Sequence, residues 1–271
     1  MYSTGCIVVR TQGLAVILNR ILGTIVNAAY GIALHVTSAI HFVAQSVTNA
    51  INPQIMKAEG GGERQRMLSL AERASKYASL LIAMVAIPII AEMDAILQWW
   101  LTEVPEQTTM FCRFVLAASI CDQLTIGLGC ANQAIGKIRT YSLIINTIKV
   151  LTLPAAYCCL RLNFPVYTVM WCYLGFECLC AVARLPFLKI TAGLSIWHFI
   201  RHVFLPIIFP SIVMILSSWT FTYFVDMPYR FIFTIILTCV FGALAVYFTA
   251  LTKEEQTTAK NIITNIKKHN K

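Results

Sequence analysis

Residues 24–52 read TIVNAAYGIALHVTSAIHFVAQSVTNAIN, and no formally charged side chain occurs anywhere in residues 21–56. Stepped at ~100° per residue, Asn27, Ser38, His41, Gln45, Thr48, Asn49 and Asn52 share one narrow side of a helix. Ile25, Ile32, Val36, Ile40, Val43 and Val47 share the other. At ~1.5 Å per residue the stretch is about 43 Å long, more than the ~30 Å hydrocarbon core of a bilayer. A soluble amphipathic helix carries Lys and Glu on its wet face. This one carries amides, hydroxyls and imidazoles. Such groups are costly in hydrocarbon unless they face protein or a water-lined cavity. The pattern predicts a membrane helix with one side on a polar path; a dry interhelical hydrogen-bond seam is the alternative reading of the same stripe.

The whole composition agrees. Apolar residues make up 58% and charged residues 12%, with a mean hydropathy of +0.71, where soluble domains carry roughly a quarter charged residues. The apolar runs are about 20 residues long and do not alternate, so they predict helices rather than a barrel. The fold class is all-α and integral membrane. A net charge of +9 then reports topology rather than affinity for nucleic acid. There are ten cysteines, nearly all inside apolar runs, and none forms a CxxC or Cys/His cluster with zinc spacing. They read as small buried hydrophobes, and neither a metal nor another cofactor is expected. In the opening MYSTGCIVVR, Arg10 interrupts what would be the apolar core of a cleavable signal.

Eight spans are expected, at about 4–22, 24–52, 77–101, 110–134, 141–160, 167–187, 203–225 and 231–251. Short connections at 101–109 and 161–166 imply antiparallel neighbours. Placing the segment between spans two and three in the cytoplasm puts Lys57, Arg64, Arg66, Arg73 and Lys76 there. Lys137, Arg139, Arg184, Lys189, Arg201, Lys253, Lys260, Lys267, Lys268 and Lys271 follow on the same side. Arg113, Arg161 and Arg230 fall on the other, so both termini are expected in the cytoplasm. Asn52-Pro53 reads as a break and Gly60-Gly61-Gly62 as a turn. Residues 64–76 read as an amphipathic helix with Met67, Leu68, Leu70 and Ala71 against the membrane and its cations among the headgroups. The polar tail from Lys253 reads as partly helical surface anchor.

Three stretches carry a resemblance: RTQGLAVILNRILGTIVNAAYGIALHV (10–36), NPQIMKAEGGGERQRMLSLAERASKYA (52–78) and PIIAEMDAILQWWL (88–101), with AIGKIRTY (134–141) at a later turn. In order and spacing they are similar to the O-antigen and capsule (Wzx-type) polysaccharide flippases. These belong to the MATE-like MOP superfamily, with the drug exporters and the lipid II flippase. The resemblance implies translocation of undecaprenyl-diphosphate-linked oligosaccharide across the bacterial inner membrane by alternating access. It also implies that 1–190 corresponds to a six-helix C-terminal lobe, 191–252 to two additional spans and 253–271 to a cytoplasmic tail. On that reading the N-terminal lobe is missing, from truncation or because a separate chain supplies it, and this chain alone is not expected to transport.

A lipid-linked diphosphate requires cations for its head and amides or hydroxyls for its sugars. Arg10 and Arg20 on the first span are the candidate cations; each could instead snorkel to its nearer interface. Gln12 and Asn19 are candidate sugar partners, and Asn27, Ser38, His41, Gln45 and Asn49 line the expected cavity wall. Lys149 and Glu177 match in depth on adjacent antiparallel helices, so they read as a buried ion pair, with a cation-coupling site as the second reading. Asp122, beside Gln123, is a further coupling candidate. No enzyme constellation emerges: the histidines form no HExxH, no GxSxG occurs and there is no Walker A sequence. The competing expectations are a cation-coupled exporter of the MATE type, a membrane-embedded polysaccharide-biosynthesis enzyme and a non-transporting subunit.

Overall fold

The computed structural model describes residues 2–224, 229–251 and 255–257. The helices run α1 (Tyr2–Leu22), α2 (Thr24–Gly60), α3 (Arg64–Ala91), α4 (Met93–Trp100), α5 (Thr108–Gln123), α6 (Ile126–Ile135), α7 (Ile138–Val150), α8 (Thr152–Arg161) and α9 (Tyr167–Ala192). Then α10 (Ile196–Phe199) passes through a π-helical turn, Ile200–Phe204, into α11 (Leu205–Phe224). A last helix, α12 (Arg230–Ala245), ends in a second π-helical turn, Val246–Ala250. Among the described residues, seven helical stretches are long and apolar enough to cross a membrane, and the bent pair α5–α6 adds an eighth. The protein is an all-α, multi-pass membrane protein of about eight spans. Its outside agrees: Ile190, Trp197, Trp219 and Phe248 stand exposed, where lipid rather than water suits them.

Helix α2 is the post around which the others stand, packing on α1, α3, α5 and α6. It buries Ala29, Tyr30, Ala33, Ile40 and Ala44. Alanines on that face let neighbouring backbones approach closely, the usual device where lipid tails compete with helix contacts. Leu14 and Leu18 of α1, Ile82 of α3 and Phe111 and Leu116 of α5 close this core. A second core gathers Ile55, Met67, Ala71, Leu128, Leu188 and Phe199 at the far end of α2. Helices α11 and α12 pack on each other and on α3.

Several expectations change. Pro53 does not break α2, which continues to Gly60. The ring removes one N–H, so the Asn49 carbonyl loses its helical partner, a loss that membrane helices absorb where protein or a cavity lies alongside. The turn comes at Gly62, whose φ of +76° suits glycine. Residues 64–76 are no separate surface helix: they are the first half of α3, and Met67, Leu68 and Ala71 are buried in protein. Lys76 is likewise buried, its ammonium donating to the Glu255 carboxylate at 2.8 and 2.9 Å and to the Ala250 carbonyl at 3.3 Å. Arg184, counted among the cytoplasmic-side cations, is buried inside α9. The third span ends at Ala91, and α4 starts anew at Met93. Asp226, Lys253, Lys260, Lys267, Lys268 and Lys271 lie outside the described residues.

The fourth span is broken. Helices α5 and α6 meet at 45°, and protein satisfies the exposed backbone at the break. The Ser79 hydroxyl donates to the Gln123 carbonyl at 3.3 Å, and the Gly127 N–H donates to the Ser75 hydroxyl at 3.1 Å. Gly127 is required here: a Cβ would stand 2.0 Å from the Ala71 carbonyl oxygen.

Candidate functional site

The break lies beside a cluster of five charged side chains drawn from α1, α5, α7 and α9. Arg184 donates through Nη2 to Asp122 Oδ1 at 2.7 Å and through Nη1 to the Asp122 carbonyl at 3.0 Å. It thereby caps the C-terminus of α5, where orphan carbonyls and the negative end of the dipole favour a cation. Lys149 lies 3.2 Å from Asp122 Oδ1 and 3.0 Å from Glu177 Oε2. The second contact is an ion contact without hydrogen-bond alignment. Arg10 donates through Nη1 to Glu177 Oε1, and its guanidinium carbon stands 4.1 Å from the centre of the Tyr173 ring, a cation–π arrangement.

Lys149 and Glu177 are thus adjacent, but each has a second partner: Asp122 for the lysine, Arg10 for the carboxylate. Three cations against two carboxylates leave the cluster with one positive charge. Its cationic side is also incompletely used. Arg10 Nε and Nη2 and Arg184 Nε are buried and have no hydrogen-bond partner.

Two adjoining cavities meet at this cluster, sharing Ile7, His41, Gln45, Asp122 and Lys149 in their walls. The middle cavity, of about 510 Å³, reaches Arg10, Thr37, Ser38, Ser119, Tyr173 and Glu177. The end cavity, of about 550 Å³, runs toward the α2–α3 and α6–α7 connections past Thr48, Asn49, Asn52, Gln133, Tyr141 and Asn146. From Ser38 to Asn52 the polar stripe of α2 therefore lines the two adjoining cavities. His41 Nε2 lies 3.1 Å from the Ser119 hydroxyl. The side-chain amides of Gln45, Asn49 and Gln133 make no hydrogen bond within the described protein.

Of the residues singled out from sequence, Arg10, Ser38, His41, Gln45, Asn49, Asp122, Lys149 and Glu177 gather on these walls. Gln12, Asn19, Arg20 and Asn27 line neither cavity. Helix α1 turns Arg10, Leu14 and Leu18 inward. Gln12 and Asn19 lie about 160–180° around the helix from Arg10 and are exposed, as is Arg20. Asn27 precedes Ser38 by eleven residues, about 16 Å along the axis. Arg184, Tyr173 and Asn146 are the residues that sequence reading missed as site residues. One signal was present for two of them: Tyr173, Glu177 and Arg184 fall on one face of α9 at helical spacing.

No family model, curated protein or solved structure matches this chain. The site must speak for itself. Among the described residues, no three His, Cys, Asp or Glu side chains are grouped to hold a metal ion. What the arrangement offers is a polar, net-cationic chamber among the membrane-spanning helices.

A second buried charge site is complete in itself. Glu92, 2% exposed, accepts from Arg230 Nε and Nη2, each at 3.0 Å, and from the hydroxyls of Thr222 and Thr234. It ties α11 and α12 to the end of α3.

Proposed function

We propose that the protein translocates an undecaprenyl-diphosphate-linked oligosaccharide across the bacterial inner membrane for cell-surface polysaccharide biosynthesis. The observation that carries the reading is the net-cationic cluster, with Nε and Nη2 of Arg10 buried and without a hydrogen-bond partner, at the meeting point of two polar cavities inside the span region. A diphosphate presents the anionic oxygens that guanidinium hydrogens match, and the neutral stripe beyond it suits sugar hydroxyls. The resemblance over residues 10–141 points the same way. The end bearing Lys57, Arg64, Arg66, Lys137, Arg139 and Lys189 is assigned to the cytoplasm by its charge. Ser38, Gln45 and Asn49 stay exposed although polar, so a second body completes the chamber; a matching N-terminal lobe is the partner proposed.

The test is export of surface glycan in a flippase-deficient bacterium. The chain expressed with a matching N-terminal lobe restores export. Arg10→Ala removes most of it, and Arg10→Lys keeps more, because the charge remains while the fork geometry is lost. Undiminished export by Arg10→Ala at normal abundance would remove the anion site from the reading. A cation-coupled exporter is the second reading: Asp122 and Glu177 share Lys149, so their loads could exchange. It predicts ion-dependent efflux of small organic cations instead of glycan export.

A further inference from the structure

Four of the ten cysteines stand in two pairs, each bridging two helices. Cys159 Sγ on α8 lies 3.8 Å from Cys172 Sγ on α9, and Cys178 Sγ on α9 lies 3.5 Å from Cys121 Sγ on α5. The separations are alike and the settings differ. Cys121 and Cys178 adjoin Asp122 and Glu177 in sequence, so this pair sits beside the charged cluster, among the spans. Cys159 stands two residues before Arg161, where α8 ends, and Cys172 five residues after Tyr167, where α9 begins. Each is therefore within about 8 Å of its helix end. The turn between them is held by its own main chain, the Phe164 N–H donating to the Cys159 carbonyl at 3.1 Å and the Thr168 N–H to the Pro165 carbonyl at 2.9 Å. Both thiols are partly exposed. Two sulfurs already in contact can close to a bond by side-chain rotation.

What separates the pairs is the compartment each can reach. The α8–α9 connection lies at the end opposite the one rich in Lys and Arg, with Arg161 its single cation, and so faces the outside on the charge assignment above. Thiols are kept reduced in the cytoplasm and are oxidised beyond it. Resting on that orientation, we infer that Cys159 and Cys172 form a disulfide after insertion, whereas Cys121 and Cys178 remain thiols. The oxidant is a protein disulfide of the outer compartment. Thiol–disulfide exchange joins the two sulfurs, and the two electrons and two protons they give up leave the oxidant as a pair of thiols. A soluble oxidant of this kind has no route to Cys121 and Cys178 among the spans. The bond ties α8 to α9 one residue before Tyr173, whose ring stands over Arg10, and so staples the outer end of the helix that carries Glu177. Closing the 159–172 loop also restricts the unfolded chain.

The experiment is thiol mapping of the full chain. Membranes from expressing cells are quenched with acid, denatured, alkylated with N-ethylmaleimide and digested, and the peptides are weighed with and without reduction. Trypsin cuts after Arg161, so the disulfide should appear as two joined peptides that separate on reduction, while Cys121 and Cys178 are alkylated without it. Cys159→Ser should abolish the joined species and free Cys172; Cys158→Ser, at the exposed neighbour, should leave it intact. A reductant should lower the thermal midpoint of the purified wild type to that of Cys159→Ser and leave Cys159→Ser unmoved. Cys159 and Cys172 both alkylated without reduction, a bond that survives in Cys159→Ser, or a bond between Cys121 and Cys178 overturns the inference. Orientation is read separately from Leu162→Cys, 70% exposed in the parent, in a chain lacking native cysteines. A membrane-impermeant maleimide should label it in intact spheroplasts. Labelling only after lysis strikes the orientation and the disulfide with it. Labelling in intact spheroplasts with Cys159 and Cys172 free strikes the disulfide alone.

Discussion

Arg184 grips Asp122 twice, through the carboxylate at 2.7 Å and through the main-chain carbonyl at 3.0 Å, and so fixes the position where the fourth span breaks. The same guanidinium also reaches the Thr125 hydroxyl at 3.2 Å, on the far side of the break. One side chain on α9 thus holds both lips of a bend in another span. The bend in turn presents Asp122 to Lys149.

Arg184→Met should therefore cost about 3–5 kcal/mol, the usual price of breaking a buried ion pair from one side. Thermal unfolding of the detergent-solubilised protein measures it. Asp122→Asn together with Arg184→Met should recover part of the loss, not all, because the α5 carbonyl still lacks its cap. Full recovery would show that capping contributes nothing.

Glu177 faces two cations, so a single pair cannot be repaired by removing one of them. Glu177→Gln should lower stability by about 3–5 kcal/mol. Adding Lys149→Met should restore little, since Arg10 remains opposite a neutral amide. Adding Arg10→Leu as well should restore most of it. A double variant as stable as the wild type would mean that Arg10 and Glu177 do not interact in the membrane.

The wet and dry faces of α2 should separate chemically. With native cysteines removed, Ser38→Cys, Gln45→Cys and Asn49→Cys should react with an aqueous thiol reagent. Ile40→Cys and Ala44→Cys, at 5% and 1% exposed in the parent, should not. Equal protection of all five positions would indicate a dry seam rather than a polar path.

Gly127→Ala should push α6 away from α3, because the added methyl meets the Ala71 carbonyl oxygen at 2.0 Å. Backbone cannot yield as a flexible side chain can, so the cost should reach or exceed the ~1–3 kcal/mol of ordinary overpacking. Gly129→Ala is the control: its added carbon would meet only the Tyr141 hydroxyl at 3.1 Å and should cost less. Thermal unfolding of the two variants side by side decides it.

Glu92→Ala removes the carboxylate that accepts from Thr222, Thr234 and Arg230. Hydrogen exchange should then quicken in α11 and α12 while α2 and α5 keep their protection, since local stability follows local anchoring. Uniform loss of protection would instead mark Glu92 as part of the global core.

What the sequence determined by itself was the number of spans and the shared polar face of α2. Both follow from near-neighbour periodicity and from the solvent: a charge-free run of residues 21–56 can lie in hydrocarbon, and its amides, at helical spacing, must share a face. The depth match of Lys149 and Glu177 was legible for the same reason. Only the tertiary structure decided which way α1 turned, and with it that Arg10 enters the site while Gln12, Asn19 and Arg20 do not. Rotation of a helix about its own axis is fixed by its neighbours' packing, not by its own pattern, when both faces are apolar enough for lipid. Tertiary structure also placed Arg184, which reads as an interfacial cation near a helix end until the broken α5 brings an orphan carbonyl and a carboxylate to meet it. Buried charge is tolerated only where partners converge, and those partners come from four helices far apart in the chain.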